Sequence, residues 1–131
     1  MASSPHASRP LSPHLSIYRF HLSMVLSITH RIASMVVSGL VALVIVWLWA
    51  AAYSEPCFAA LHDITSSTIG QGALVLASFV FFLKLGTGMR HLVWDTGAGF
   101  RLPWVGGSGR AAIAFAILAT ALTWAIVWEV I

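Results

Sequence analysis

Three long apolar stretches dominate this chain, from about Met24 to Tyr53, Ile69 to Trp94 and Ala111 to Val130. Each reaches the roughly 20 residues that an α-helix needs to cross about 30 Å of hydrocarbon. Only 8% of the 131 residues are charged, against about 25% in an ordinary soluble domain. The expected fold is therefore an all-α membrane protein with three transmembrane helices. Residues 1–22 read as an arm outside the membrane and 23–131 as a single membrane domain. Three spans in a chain of 131 residues leave no segment here for a water-soluble catalytic domain.

The basic residues set the topology. Arg9 and Arg19 precede the first span, Arg31 lies near its start, and Arg90, Arg101 and Arg110 flank or fill the second connection. The first connection, about Ser54 to Thr68, reads as a short loop with Glu55 and Asp63 but no Lys or Arg. Cytoplasmic loops carry the excess of Lys and Arg, which puts the N-terminus in the cytoplasm, or matrix, and the C-terminus opposite. The sequence pI near 9.8 has the same origin, and no basic cluster points to nucleic acid. The arm is rich in Pro, Ser and His and lacks the apolar core of a secretory signal. Cys57 is the only cysteine, which excludes an internal disulfide and a cysteine metal cluster. Pro103 with Gly106, Gly107 and Gly109 makes the second connection read as irregular.

Polar side chains inside a membrane are costly, so their placement carries the functional information. On the first span Ser23, Ser27, His30, Arg31, Ser34 and Ser38 recur at steps of three or four and share a face. Serines there allow close helix packing and bond back to their own helix, which accounts for Ser34 and Ser38. Arg31 beside His30 reads either as a cation reaching the headgroups or as one pairing with an anionic or polar ligand. On the second span Lys84, Gly88, His91 and Asp95 form a matching stripe, with Arg90 next to His91. Two Arg–His pairs at one depth suit haem propionates, a quinone carbonyl or partner carboxylates. Arg90 and Asp95 also read as interfacial anchors. Gly86 and Gly88 permit close approach of a helix or a flat ligand. Lys84 lies two turns deeper than His91. There it needs an acid, a water-filled cavity or a cofactor, or else it is neutral. Thr120 and Thr123 are the polar residues inside the third span, which reads as a packing helix.

Three motifs carry a resemblance. Arg9-Pro10-Leu11-Ser12-Pro13-His14-Leu15-Ser16-Ile17-Tyr18, Ser27-Ile28-Thr29-His30-Arg31 and Gly88-Met89-Arg90-His91-Leu92-Val93-Trp94-Asp95-Thr96-Gly97 resemble, in order, segments of the cytochrome b556 subunit of succinate dehydrogenase. The resemblance implies a membrane-anchor subunit of complex II, the oxidoreductase that converts succinate to fumarate and reduces ubiquinone. It also implies a heteromeric helix bundle with a second three-helix anchor subunit, and an iron–sulfur and a flavoprotein subunit carrying the catalytic centres. The implied location is the bacterial inner membrane, with the mitochondrial inner membrane as the alternative. By motif match Ser27 and Arg31 contact quinone, while His30, Arg31 and His91 face the propionates of haem b.

Two departures stand out. Ala33-Ser34 replaces the Thr/Ser-Gly expected after His-Arg, a change of helix packing. The axial haem ligand of the resemblance is a histidine seven residues before His91, and that position is Lys84. A lysine must lose its proton to ligate iron. The alternatives are a haem ligated elsewhere, with His91 as the fallback, or no haem and a lysine paired with a carboxylate. A structural anchor without a quinone site and a fumarate reductase anchor are the competing functions.

Overall fold

The structure, a computed structural model, describes residues 14–130; Arg9, Pro10 and the rest of the first motif up to Pro13 lie outside them. Four helices follow one another: α1 (Leu22–Tyr53), α2 (Glu55–Ser66), α3 (Thr68–Asp95) and α4 (Leu102–Val130). The helices α1, α3 and α4 have 32, 28 and 29 residues and are long and apolar enough to cross a membrane. At 1.5 Å per residue they reach about 42–48 Å, beyond the roughly 30 Å hydrocarbon layer. Their end turns therefore stand at the level of the headgroups.

Two expectations are corrected. The connection from Ser54 to Thr68 is not an open loop, because α2 fills most of it. Glu55 and Pro56 occupy its first turn, where a carboxylate complements the helix dipole and a missing N–H costs nothing. Trp47 of α1 packs on Phe58 of α2 with ring centroids 5.5 Å apart. The third membrane helix starts at Leu102, nine residues before the apolar run suggested, since Pro103 sits in its first turn. Glycines are tolerated in membrane helices.

Packing explains Gly109. A Cβ there would stand 2.6 Å from Leu26 Cδ1, so α4 crosses α1 closely at this point. The core is built from small residues, among them Ala33, Ala112 and Ala116, as expected where van der Waals fit, not the hydrophobic effect, joins helices. Helix α3 packs most extensively on α4 and next on α1. Most large apolar side chains, such as Ile32, Met35, Leu43 and Leu118, remain exposed and face outward from the three helices.

The turn from α3 to α4 is short. It closes through Gly97 (φ 80°) and Gly99 (φ 82°), a left-handed conformation that glycine adopts without penalty. The Gly97 N–H donates to Trp94 O at 2.8 Å. The glycine at the end of the third motif thus has a structural reason. The turn lies on the side of the bundle where α1 begins, and α2 lies on the other.

Candidate functional site between α1 and α3

Near the start of α1 and the end of α3, two histidines meet. The rings of His30 and His91 are 4.8 Å apart, tilted by 32°. The depth matching of the two stripes is therefore real, and Thr87, absent from the sequence reading, joins them. Its side chain is 1% exposed.

The hydrogen bonds determine who donates. Thr87 Oγ1 gives its one proton to Leu83 O, 2.7 Å away. The contact between His30 Nδ1 and Thr87 Oγ1, at 2.7 Å, must then run from the ring N–H to the hydroxyl oxygen. His30 is in its Nδ1–H tautomer, and Nε2 is left to accept. Lys84 Nζ stands 3.3 Å from that Nε2 and donates to Ser34 Oγ at 2.7 Å. Ser34 Oγ in turn donates to His30 O at 2.8 Å. His91 Nδ1 is 2.7 Å from Thr87 O, and a carbonyl only accepts, so this ring too carries its proton on Nδ1. The result is a seam of four polar side chains, Ser34, Lys84, His30 and Thr87, that bond to one another across α1 and α3, with the His91 ring lying against His30. Among the described residues no buried side-chain nitrogen or oxygen lacks a partner.

Arg90 does something else. Its guanidinium points to α4, where Nε donates to Ser108 Oγ at 2.9 Å and an Nη to Val105 O at 3.0 Å. Its Cζ lies 4.1 Å over the Trp94 ring, a cation–π contact. It is 7% exposed and clamps α3 to the first turns of α4. The expected pairing of Arg90 with His91 in one cluster does not form. Consecutive residues on a helix point about 100° apart, so only one of them reaches the seam.

The remaining candidates face outward. Ser27 and Arg31 are both exposed. Ser27 lines a shallow groove of about 270 Å³ with Ser23, Met24 and Ile28. Gly86 meets Ala112 and Phe115 of α4, whereas a Cβ on Gly88 would touch nothing within 4 Å.

The model of the succinate dehydrogenase/fumarate reductase transmembrane subunit matches residues 6–123. The succinate dehydrogenase cytochrome b556 subunit of Rickettsia felis is 35% identical over 116 residues, covering 88% of this chain and 90% of that protein. The chain belongs to the succinate dehydrogenase/fumarate reductase transmembrane-subunit family. The cytochrome b556 subunit of Paracoccus denitrificans is 33% identical over 123 residues, covering 94% of this chain and 95% of its own. The mitochondrial cytochrome b560 subunit of Mus musculus is 36% identical over 118 residues, 87% of this chain and 69% of that one. The family role is that of a succinate dehydrogenase membrane anchor of the cytochrome b type.

Cytochrome b naming implies haem b in the family. Haem b iron takes neutral imidazole nitrogens. At the axial position of the resemblance stands Lys84, already bonded to Ser34 and His30. Both ring nitrogens of His30 are engaged. Nε2 of His91 is the one ring nitrogen of the pair with no hydrogen bond among the described residues. The donor set at Lys84 and His30 does not fit an iron ligand.

Proposed function

We propose that this chain anchors succinate dehydrogenase in the membrane and forms part of its ubiquinone-reduction site through Ser27 and Arg31. The observation that carries this reading is their shared freedom. They lie one turn apart on α1, are exposed, and make no side-chain hydrogen bond among the described residues, while His30, Ser34, Lys84 and Thr87 close by are bonded to one another. A Ser27 hydroxyl can donate to a quinone carbonyl. The Arg31 guanidinium can stabilise the negative charge that develops on that oxygen as electrons arrive. The balance is two electrons and two protons per ubiquinone, giving ubiquinol. The electrons come from succinate through the flavoprotein and iron–sulfur subunits. The groove beside Ser27 is open on one side, as a site completed by a second three-helix anchor subunit would be.

His30, Lys84 and Thr87 enter this reading as the structure that holds α1 in place, not as haem contacts. The positive residues on the side where α1 begins put the N-terminus in the cytoplasm, so the soluble subunits dock there. The membrane is the bacterial inner membrane, or the mitochondrial one if the chain is organellar.

Arg31→Leu tests the reading. Quinone reductase activity should fall at least tenfold, because an interaction with a charged partner contributes about 1.5–3 kcal/mol and every 1.4 kcal/mol is a factor of ten. Succinate oxidation by an artificial acceptor should be unchanged. Equal loss of both activities, or no loss of either, would favour a structural anchor whose quinone site lies in its partners.

A further inference from the structure

Lys84 joins two helices. It projects from α3, and its two partners, Ser34 and His30, both belong to α1. The amine is therefore drawn into the seam between the helices and bonded on the α1 side. The same seam holds His30 by Thr87 on the α3 side, so the ring is gripped at both nitrogens by one helix. A group kept for iron would leave a donor atom free and aimed away from its own chain. Lys84 and His30 are instead each satisfied within it. No carboxylate pairs with Lys84 among the described residues, and its acceptors are a hydroxyl and an imidazole nitrogen.

We propose that Lys84 is a lock joining α3 to α1 at the place where the family resemblance puts an axial iron ligand, and that neither Lys84 nor His30 ligates haem in this protein. The proposal does not depend on the quinone reading. Lys84 sits about 10 Å along α3 from His91, by its seven-residue separation, and the lock holds whether or not Ser27 and Arg31 touch quinone.

The test uses the whole complex purified in detergent, as wild type and as Lys84→Met, Ser34→Ala and Lys84→His variants. Haem is quantified per flavin as the pyridine haemochrome, and the reduced-minus-oxidised and low-temperature electron paramagnetic resonance spectra report its ligands. Thermal midpoints report the lock. Lys84→Met is expected to lower the midpoint by several degrees and Ser34→Ala, which keeps the amine, by less. Both should leave the haem content and spectra as in the wild type, at zero or at any higher value. Lys84→His should add haem or shift its spectrum, since an imidazole then stands where the amine did. A wild-type haem whose spectrum changes or disappears in Lys84→Met, but persists in Ser34→Ala, would overturn the proposal. So would a midpoint that neither Lys84→Met nor Ser34→Ala moves. If Lys84→Met fails to assemble, Ser34→Ala alone decides the lock, and Lys84→Gln, which stays polar but offers no amine to iron, decides the ligand. A wild-type haem whose spectrum changes or disappears in Lys84→Gln, but persists in Ser34→Ala, would then overturn the proposal.

Discussion

Thr87 is the joint of the seam, and Thr87→Val isolates its hydroxyl. The bond Thr87 makes to Leu83 O lies within its own helix, on a carbonyl that the helix ladder also uses. What valine removes is the acceptor for His30 Nδ1–H, 2.7 Å away. Hydrogen bonds between helices in a membrane protein average about 0.6 kcal/mol and reach about 1.7. A short bond to a side chain that is 1% exposed belongs in the upper half, at about 1–1.7 kcal/mol. That corresponds to roughly a fivefold to twentyfold change in an equilibrium constant. Because valine also changes the packing, a double-mutant cycle with His30→Phe is the right measurement. The four proteins are unfolded by titrating the purified complex with sodium dodecyl sulfate, followed by tryptophan fluorescence. The coupling between the two sites should come out at about 1 kcal/mol or more. Additive effects, within about 0.3–0.5 kcal/mol, would show that the His30–Thr87 bond does not hold α1 to α3.

Two other contacts make comparable predictions. Arg90→Lys should destabilise the complex by about 1–3 kcal/mol, because an ammonium cannot bond Ser108 and Val105 while covering Trp94. Ser108→Ala, which removes one of those bonds, should cost about 0.5–1.5 kcal/mol by the same unfolding titration. Gly109→Ala places a Cβ 2.6 Å from Leu26 Cδ1 and should cost about 1–3 kcal/mol through overpacking. Leu26→Ala added to it should recover part of that loss, whereas a further loss would mean that α1 and α4 do not meet there.

Much of this was legible in the residues. The three spans follow from apolar length alone, and the meeting of His30 with His91 follows from depth. The short helix α2 was missed although Ser54-Glu55-Pro56 is a helix-start pattern, with an acid and a proline in the first turn. The length of the connection read as a loop because α2 is too short and too polar to register as a span. The early start of α4 was hidden by its glycines, which mark loops in water but not in a membrane. Arg90 was placed by depth and misplaced by direction: its neighbour His91 reaches the seam, and about 100° of rotation carries Arg90 to α4. Thr87 has the i+3 spacing from Lys84 and the i−4 spacing from His91 that mark a shared face. Nothing in its residue type distinguishes a hub from a self-bonded threonine. That distinction needs the ring of His30 from another helix.

The polar stripe of α1 covers an arc of about 100°, and the structure divides it. His30 and Ser34 turn to α3 and are satisfied there. Arg31, at the far edge, is exposed, and Ser23 and Ser27, nearer the start of α1, line the open groove. A polar group left without a partner in a bilayer is costly, so the two sets have different fates. The first is closed by this chain alone, and among the described residues Lys84 stands there without an acid. The second is not, and Ser27 and Arg31 gain partners from a ligand, a headgroup or a neighbouring subunit. On the proposed reading, stability and function rest on different parts of a single helix face. Substitutions at Thr87 and Lys84 should act through the folded state, and those at Ser27 and Arg31 through the reaction.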